Sequence, residues 1–231
     1  GVPKGVINIV HGLGSKVGDP LTTHPDIPIV SFTGGTVTGK HIASVTAPMF
    51  KKLSLELGGK NPNIVFSDAD FEKAVSFASK AAFTNQGQIC LCGSRLFVQE
   101  KIYEKFKIAL IEKSSKLTVG DPKDPNSHLG AVVSKDHMEK ILNKIEEAKK
   151  LGGKILIGGD RKILSGELKD GYYINPTIIE NLNYDCSVNQ EEIFGPVVSI
   201  IPFRDEEDVI QMANSTKYGL SASIFTENIS K

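Results

Sequence analysis

Two cysteines in a short polar segment raise the question of a reactive thiol. Cys90 and Cys92 lie in "FTNQGQICLCGSR". Cys186 is remote and the five histidines show no ligand spacing, so we predict no metal site. A disulfide between Cys90 and Cys92 would close a strained ring, and a redox motif normally shows C-x-x-C. Two interpretations stay open: a buried inert thiol, and a nucleophile that a tight turn presents to a cleft.

A carboxylate upstream could serve such a thiol. In "KKLSLELGGKNP", Glu56 lies between Leu55 and Leu57 and just before Gly58 and Gly59. Strand alternation would place Glu56 on the face opposite its leucines. It is either a solvated strand carboxylate or a carboxylate in a partly apolar pocket, where a raised pKa would let it take a proton from a thiol or water.

Two glycine-rich stretches follow apolar segments that resemble strands. "HGLGSKVG" follows "GVINIV", and "FTGGTVTGK" follows "IPIVSF". Such a turn can bring backbone N–H groups and a helix N-terminus against a pyrophosphate. Neither stretch matches the dinucleotide fingerprint or the P-loop. They are therefore either simple helix entries or parts of a dinucleotide site.

A pair of acids precedes a buried strand near the end of the chain. Glu191 and Glu192 begin "EEIFGPVVSIIPF", with Phe194 two residues on. The stretch is either a loop that enters a strand, or a ligand site. In a ligand site, the carboxylate would accept hydrogen bonds from a ribose diol and the phenyl ring would pack against a flat ring.

The elements that position these residues alternate between strands and helices. Strands are predicted at "GVINIV", "IPIVSFTG", "NPNIVFSD", "SRLFVQE", "KILIGG", "VVSIIPF" and "SASIFT". Helices are predicted at "DADFEKAVSFASKAAF", "KIYEKFKIALIEKSSKL", "KDHMEKILNKIEEAKKLG" and "RDEEDVIQMANS", with Asp68 and Ser134 as N-caps. The alternation predicts an α/β protein with a largely parallel sheet.

Composition narrows the class of protein. The 231 residues include 27 Lys plus Arg and 27 Asp plus Glu, so nothing indicates a nucleic-acid or membrane surface. No apolar run is long enough to span a bilayer. Three cysteines are too few for a disulfide framework, which favours a reducing compartment, and we expect the cytoplasm. The chain lacks an initiator Met and a signal peptide, and we expect an internal piece of a longer protein.

Four stretches, taken together and in order, resemble the aldehyde dehydrogenase superfamily. They are "FTGGTVTG", "LELGGKNP", "FTNQGQICLCGSR" and "EEIFGPV", and the similarity runs from "GVPKGVINIVHG" to "KYGLSASIF". Within the superfamily the chain looks most like the 2-aminomuconate semialdehyde dehydrogenase group. The resemblance implies NAD(P)-dependent oxidation of a small-molecule aldehyde to a carboxylic acid, through a cysteine thiohemiacetal and thioester.

The resemblance also implies roles for individual residues. Cys90 matches the catalytic nucleophile and Glu56 the general base. The cofactor would be NAD, with NADP not excluded, and the matching residues are Gly14, Phe32, Thr33, Gly34, Gly35, Thr38, Gly39, Leu57, Glu192 and Phe194. Gly34 to Gly39 would face the pyrophosphate, Leu57 the nicotinamide, and Glu192 its ribose. Many relatives carry Ser at the position of Gly35, so a hydroxyl contact would be lost here while the backbone N–H remains.

Members of that family are longer than this chain, which sets expectations for its domains. Residues 1–58 would be the C-terminal part of a Rossmann-like NAD-binding domain, and residues 59–231 an incomplete catalytic domain. The whole protein would be a homodimer or homotetramer, and the 231 residues alone would be inactive. Two alternatives stay open: a CoA-acylating relative, against which Glu56 argues because hydrolysis needs an activated water, and a non-catalytic protein that keeps only the fold.

Overall fold

The computed structural model describes residues 1–231, which form two compact units. The first is Gly1–Gly58 and the second is Gly59–Lys231. The boundary falls at the glycine pair that follows Glu56.

The first unit holds a two-stranded parallel sheet. A π-helical turn at Gly14–Gly18 and α1 (Asp19–Thr23) precede β1 (Ile29–Thr33). Helix α2 (Thr36–Thr46) and a 3₁₀ turn at Ala47–Met49 connect β1 to β2 (Lys52–Glu56). The register pairs Thr33 with Glu56 at the carboxyl ends of both strands. The parallel pair joined by a helix therefore sets the end of β2 beside the glycine turn that opens α2.

The strand predicted at "GVINIV" is wrong. Residues 5–10 form a turn and irregular backbone, and their apolar side chains are exposed. The only sheet in this unit is β1 with β2. A β-branched segment adopts a strand when a neighbouring strand supplies hydrogen bonds and packing, and residues 5–10 have no such neighbour. The glycines after this segment therefore do not form a strand–turn–helix unit.

The second unit is built on a six-stranded sheet. Its strands are β3 (Pro62–Val65), β4 (Arg95–Gln99), β5 (Lys154–Ile157), β8 (Thr177–Glu180), β9 (Val197–Phe203) and β10 (Ser223–Phe225). A separate short hairpin consists of β6 (Arg161–Lys162) and β7 (Tyr173–Ile174). The sheet order is β10-β3-β4-β9-β8-β5, and all pairings are parallel except that of β5 with β8. The predicted α/β class with a largely parallel sheet is confirmed.

Helices cover both faces of this sheet. They are α3 (Phe71–Phe83), α4 (Glu100–Ser114), α5 (Lys135–Lys150), α6 (Ser187–Gln190) and α7 (Glu206–Ala213). Side chains alternate along β4, so Leu96 and Val98 pack with α3 and α4, while Phe97 packs on the other face with Phe203 and Val209. None of the helices combines the length and the apolar character needed to cross a membrane.

One of the two predicted helix caps is wrong. Asp70, not Asp68, caps α3, because its carboxylate accepts the Lys73 N–H at 3.1 Å. Asp68 instead accepts a hydrogen bond from the Thr226 hydroxyl at 2.8 Å. The cap predicted at Ser134 is confirmed, since Ser134 Oγ accepts the N–H of the third residue of α5 at 3.2 Å.

Candidate functional site

Cys90 lies in a turn that follows α3. The chain leaves α3 through a 3₁₀ turn at Thr84–Gly87, where Asn85, Gln86 and Gly87 have φ values of 50°, 58° and 70°. A Cβ at Gly87 would lie 2.0 Å from the carbonyl oxygen of Gly195. Only glycine combines this left-handed backbone with so close an approach. The local backbone geometry therefore sets the residue type at Gly87. Strained backbone of this kind often accompanies function.

The thiol of Cys90 is more accessible than that of Cys92. Cys90 is half-buried, whereas Cys92 is 9% exposed. The Cys92 N–H donates to the Ile89 carbonyl at 3.0 Å and closes a turn that contains Cys90. Burial raises the pKa of the Cys92 thiol, and the adjacent charges of Cys90 and Glu192 add to the effect. Of the two thiols, that of Cys90 is thus the more accessible to a reactant.

All three cysteines are free thiols. No group of three or more His, Cys, Asp or Glu side chains is placed to hold a metal ion.

The segment Gly59–Asn61 supports the turn that carries Cys90. Asn61 is 3% exposed, and its Nδ2 donates to the carbonyl oxygens of Cys90 at 2.7 Å and Cys92 at 3.0 Å. Its Oδ1 accepts the N–H of Ser221 at 3.1 Å. A Cβ at Gly59 would lie 2.6 Å from the Cys90 carbonyl oxygen, so a side chain there would displace the turn. No feature of the sequence alone singles out Asn61.

The same segment contacts Glu192. The backbone N–H of Gly59 donates to Glu192 Oε1 at 3.1 Å, and the second carboxylate oxygen has no protein partner. The preceding acid, Glu191, points elsewhere and pairs with Lys144 at 2.8 Å. Gly59 thus contacts both the Cys90 turn and the Glu192 carboxylate, and the structure brings these two predicted site residues together.

Phe194 is held beside Glu192 in a strained backbone conformation. Its φ is 58°, its side chain is 37% exposed, and its carbonyl accepts a hydrogen bond from His137 Nε2 at 2.7 Å. The two rings meet edge to face with centroids 6.1 Å apart. Glu192 and Phe194 also line a small cleft with Gly59 and Cys92. An exposed ring beside an unpaired carboxylate oxygen is an arrangement that can hold a ribose and a flat ring.

Two buried basic side chains, Lys60 and Arg95, lie next to this cluster, and no sequence pattern marks either of them. Lys60 is 2% exposed, and burial together with the positive charge of Arg95 lowers its pKa to about 7. Arg95 donates to the carbonyl oxygens of Lys60, Met212 and Ala213 at 2.9, 3.0 and 2.7 Å. Arg95 therefore fastens the Gly59–Asn61 segment to the C-terminus of α7.

In the first unit, Glu56 ends β2 and its side chain is exposed. The hypothesis of a partly apolar pocket is wrong for this structure, because the residues around the end of a two-stranded sheet do not enclose the side chain. The Glu56 carbonyl accepts the N–H of Gly34 at 3.0 Å. Leu57 packs against Gly39, where a Cβ would lie 2.4 Å from Leu57 Cδ2. Glu56 and the glycine turn are thus neighbours within this unit.

The N-terminus of α2 fits a phosphate group. Its N-cap, Gly35, is extended and makes no side-chain cap, and the Gly39 N–H donates to the Gly35 carbonyl at 3.1 Å. The N–H groups of the first turn, from Thr36 to Thr38, therefore remain free for an anion. A Cβ at Gly35 would meet nothing within 4 Å, so the open space lies beside these donors.

The other predicted cofactor residues of this unit lie on two elements. Phe32 and Thr33 end β1, and the Phe32 ring packs on Gly34, where a Cβ would lie 2.5 Å from it. Gly14 opens the π-helical turn and has no side-chain neighbour within 4 Å. The end of β1 and the residue after it therefore hold Phe32, Thr33 and Gly34, whereas Gly14 lies on a separate turn.

Comparison with known proteins identifies the family. The sequence matches the aldehyde dehydrogenase family over residues 1–231, and the chain belongs to that family. It is 45% identical over its whole length to the 2-aminomuconic semialdehyde dehydrogenase of Mus musculus, covering 48% of that protein. It is also 45% identical over its whole length to the betaine aldehyde dehydrogenase of Vibrio vulnificus (strain YJ016), covering 47%.

Solved structures agree with this assignment. The crystal structure of betaine aldehyde dehydrogenase from Staphylococcus aureus in complex with NAD⁺ superposes with a TM-score of 0.95 at 44% identity. The match covers all of this chain and 46% of that one. The chain thus spans about half the length of the relatives that it matches.

Proposed function

We propose that the whole protein is an NAD(P)-dependent aldehyde dehydrogenase that uses Cys90 as its nucleophile. One observation carries this proposal: the half-buried Cys90 lies in a turn whose carbonyl oxygen lies against Gly59, and the Gly59 N–H donates to the Glu192 carboxylate. A nucleophile and a carboxylate able to bind ribose are thus linked through one residue. Family membership supports the assignment.

The chain's residues would divide the chemistry as follows. The Cys90 thiolate would form a bond to the aldehyde carbon and give a thiohemiacetal. When bound, NAD(P)⁺ supplies the hydride acceptor that converts this adduct to a thioester. Glu56 would take a proton from the water that attacks the thioester, so that the C–S bond breaks and a carboxylic acid leaves. The free oxygen of Glu192 would accept hydrogen bonds from the nicotinamide ribose.

The first turn of α2 would bind the cofactor pyrophosphate. Its backbone N–H groups and the helix dipole favour a negative group there, and the Thr38 hydroxyl lies in the same turn. The solved relative in complex with NAD⁺ supports NAD as the cofactor of this chain. Assembly as a homodimer or homotetramer and a cytoplasmic location stay predictions.

For the substrate we propose 2-aminomuconate semialdehyde. Four relatives with that activity in their names are 44–45% identical over the whole chain. The betaine aldehyde dehydrogenase of V. vulnificus is 45% identical, so betaine aldehyde is the natural comparison substrate. The ratio of kcat/KM for the two aldehydes decides between them, and a higher value for betaine aldehyde would reject the proposed substrate.

The product formed by the whole protein tests the class of reaction. With NAD⁺ and an aldehyde, we expect carboxylic acid and NADH in equal amounts, with or without CoA. Cys90→Ala should abolish both products. Cys92→Ala, at the buried neighbouring cysteine, is the control and should still form them. Formation of acyl-CoA would identify a CoA-acylating enzyme, and no product from a folded protein would identify a non-catalytic relative.

A further inference from the structure

We propose that Asn61 is a positioning residue that fixes the orientation of the Cys90 thiol. This inference rests on the proposed function, because it assigns to Asn61 an effect on the reaction at Cys90. Nothing in the sequence separates Asn61 from the neighbouring Asn63, since both are asparagines in "GGKNPNIV". The structure separates them by their hydrogen bonds.

The side-chain amide of Asn61 holds the turn at two points. Its Nδ2 donates one hydrogen to the carbonyl of Cys90 and the other to the carbonyl of Cys92. The Cys90 carbonyl belongs to the peptide plane that follows Cys90, so the first bond restricts rotation about its Cα–C bond. The second bond restricts the peptide group that follows Cys92 in the same way. The two bonds together hold the backbone on the C-terminal side of Cys90, and with it the Cα–Cβ bond that carries the thiol.

The amide is also held from its other side. Asn61 Oδ1 accepts the N–H of Ser221, two residues before β10. Because the oxygen is used by an N–H donor, the NH₂ group must face the two carbonyls, and the opposite orientation would lose all three bonds. Asn61 is 3% exposed, so water does not readily replace these partners. All three bonds of this amide are therefore defined by the fold.

The chemistry of the position selects a double donor. Serine offers one hydrogen, and alanine offers none. An ionised aspartate offers none and would face two carbonyl oxygens, whereas a protonated aspartate offers one. The variants therefore form a series in which the number of donors falls, and aspartate alone keeps the shape of asparagine. Comparison of the aspartate variant with the unmodified protein separates a positioning role from simple space filling.

The chain provides a matched control. Asn63 lies on β3, two residues after Asn61, is 1% exposed, and neither its Oδ1 nor its Nδ2 has a hydrogen-bond partner. Asn63→Ala removes a buried amide of the same size and leaves the bonds of the Cys90 turn intact. A loss common to both variants would reflect general packing, and a loss confined to Asn61 variants reflects the turn.

The experiment measures one turnover in the whole protein. Burst titration first counts active sites, and stopped-flow fluorescence then gives the rate of NADH formation per active site. A displacement of the reacting atom by about 1 Å can cost about 10²-fold in rate. We expect Asn61→Ala to lose about that factor and Asn63→Ala to stay within about twofold of the unmodified protein. Limiting iodoacetamide followed by peptide mapping should show a larger share of label on Cys92 in Asn61→Ala.

The pH dependence of the rate of Asn61→Asp is a second test. It decides whether Asn61 is a positioning residue even if Asn61→Ala does not fold. The rate of Asn61→Asp relative to the unmodified protein should rise as the pH falls, because the protonated acid regains one donor. A rate per active site for Asn61→Ala close to that of Asn63→Ala, or an Asn61→Asp ratio that is flat with pH, would overturn the inference. If Cys90→Ala kept full activity, the proposed function would fail instead, so the two failures are distinguishable.

Discussion

The most instructive single change is Glu192→Gln. In the structure one carboxylate oxygen accepts the Gly59 N–H at 3.1 Å and the other is free. A glutamine can keep the bond to Gly59 with its one oxygen, which leaves an NH₂ group where the free oxygen was. The variant therefore replaces a charged acceptor by a donor, at nearly constant shape, toward the site where we place the nicotinamide ribose.

The magnitude follows from that lost acceptor. A hydrogen bond to a charged group contributes about 1.5–3 kcal/mol, which corresponds to about 10- to 150-fold in an equilibrium or rate constant. If Glu192 orients the ring for hydride transfer, the loss appears in the hydride-transfer rate. The carboxylate of Glu191 provides the control, because it pairs with Lys144 at 2.8 Å and points away. Glu191→Gln should leave the rate within about twofold.

Two measurements separate positioning from binding. Stopped-flow kinetics with the deuterated aldehyde report hydride transfer, and calorimetry reports the affinity for NAD⁺. We expect Glu192→Gln to slow hydride transfer more than it weakens binding, with a primary isotope effect that appears or grows. A variant that lost only NAD⁺ affinity and showed no isotope effect would refute the assignment of Glu192.

Three further outcomes are expected. Glu56→Gln should keep the burst of NADH but lower steady turnover by about 10²–10⁴, and unchanged turnover would contradict its role as base. Burial lowers the pKa of Lys60 to about 7 in the folded protein. Between that pH and the ordinary pKa of a lysine, the unfolded chain binds one more proton than the folded chain, so the free energy of unfolding rises with pH. Lys60→Met should reduce this slope by about 1.4 kcal/mol per pH unit, as measured by denaturant titrations at several pH values. Residues 1–231 expressed alone should show no aldehyde turnover and weak NAD⁺ binding by calorimetry, because a two-stranded sheet such as β1 with β2 is marginal; tight stoichiometric binding would contradict this.

Much of the second unit could be predicted from the sequence. Helices α3, α4, α5 and α7 have long amphipathic patterns, and β4 and β9 have apolar β-branched runs, so local signals and final fold agree. Strand β8 was not predicted; it is buried because strands pair with it on both sides, which "TIIE" alone does not reveal. The segment "GVINIV" had the pattern of a strand but lacks a partner, which no local pattern reveals.

The sequence points to candidate site residues whose side chains are themselves reactive or charged. It does not point to residues that only hold other residues in place. The sequence singled out Cys90 and Glu192 because thiols and paired acids in polar loops are uncommon between apolar segments. Asn61 and Lys60 give no such signal, since their importance comes from contacts with residues far along the chain. Buried partners of a reactive turn can be found only once the turn and its neighbours are placed in space.

The central claim, that Cys90 is the nucleophile, is tested most directly by selective alkylation of the whole protein. Iodoacetamide in limiting amount would be added, the label mapped by peptide mass spectrometry, and residual activity measured in the same samples. Cys90 is half-buried and Cys92 is 9% exposed, so we expect Cys90 to be labelled first and activity to fall in proportion to that label. Labelling of Cys92 or Cys186 ahead of Cys90, or activity that survives complete labelling of Cys90, would contradict the claim.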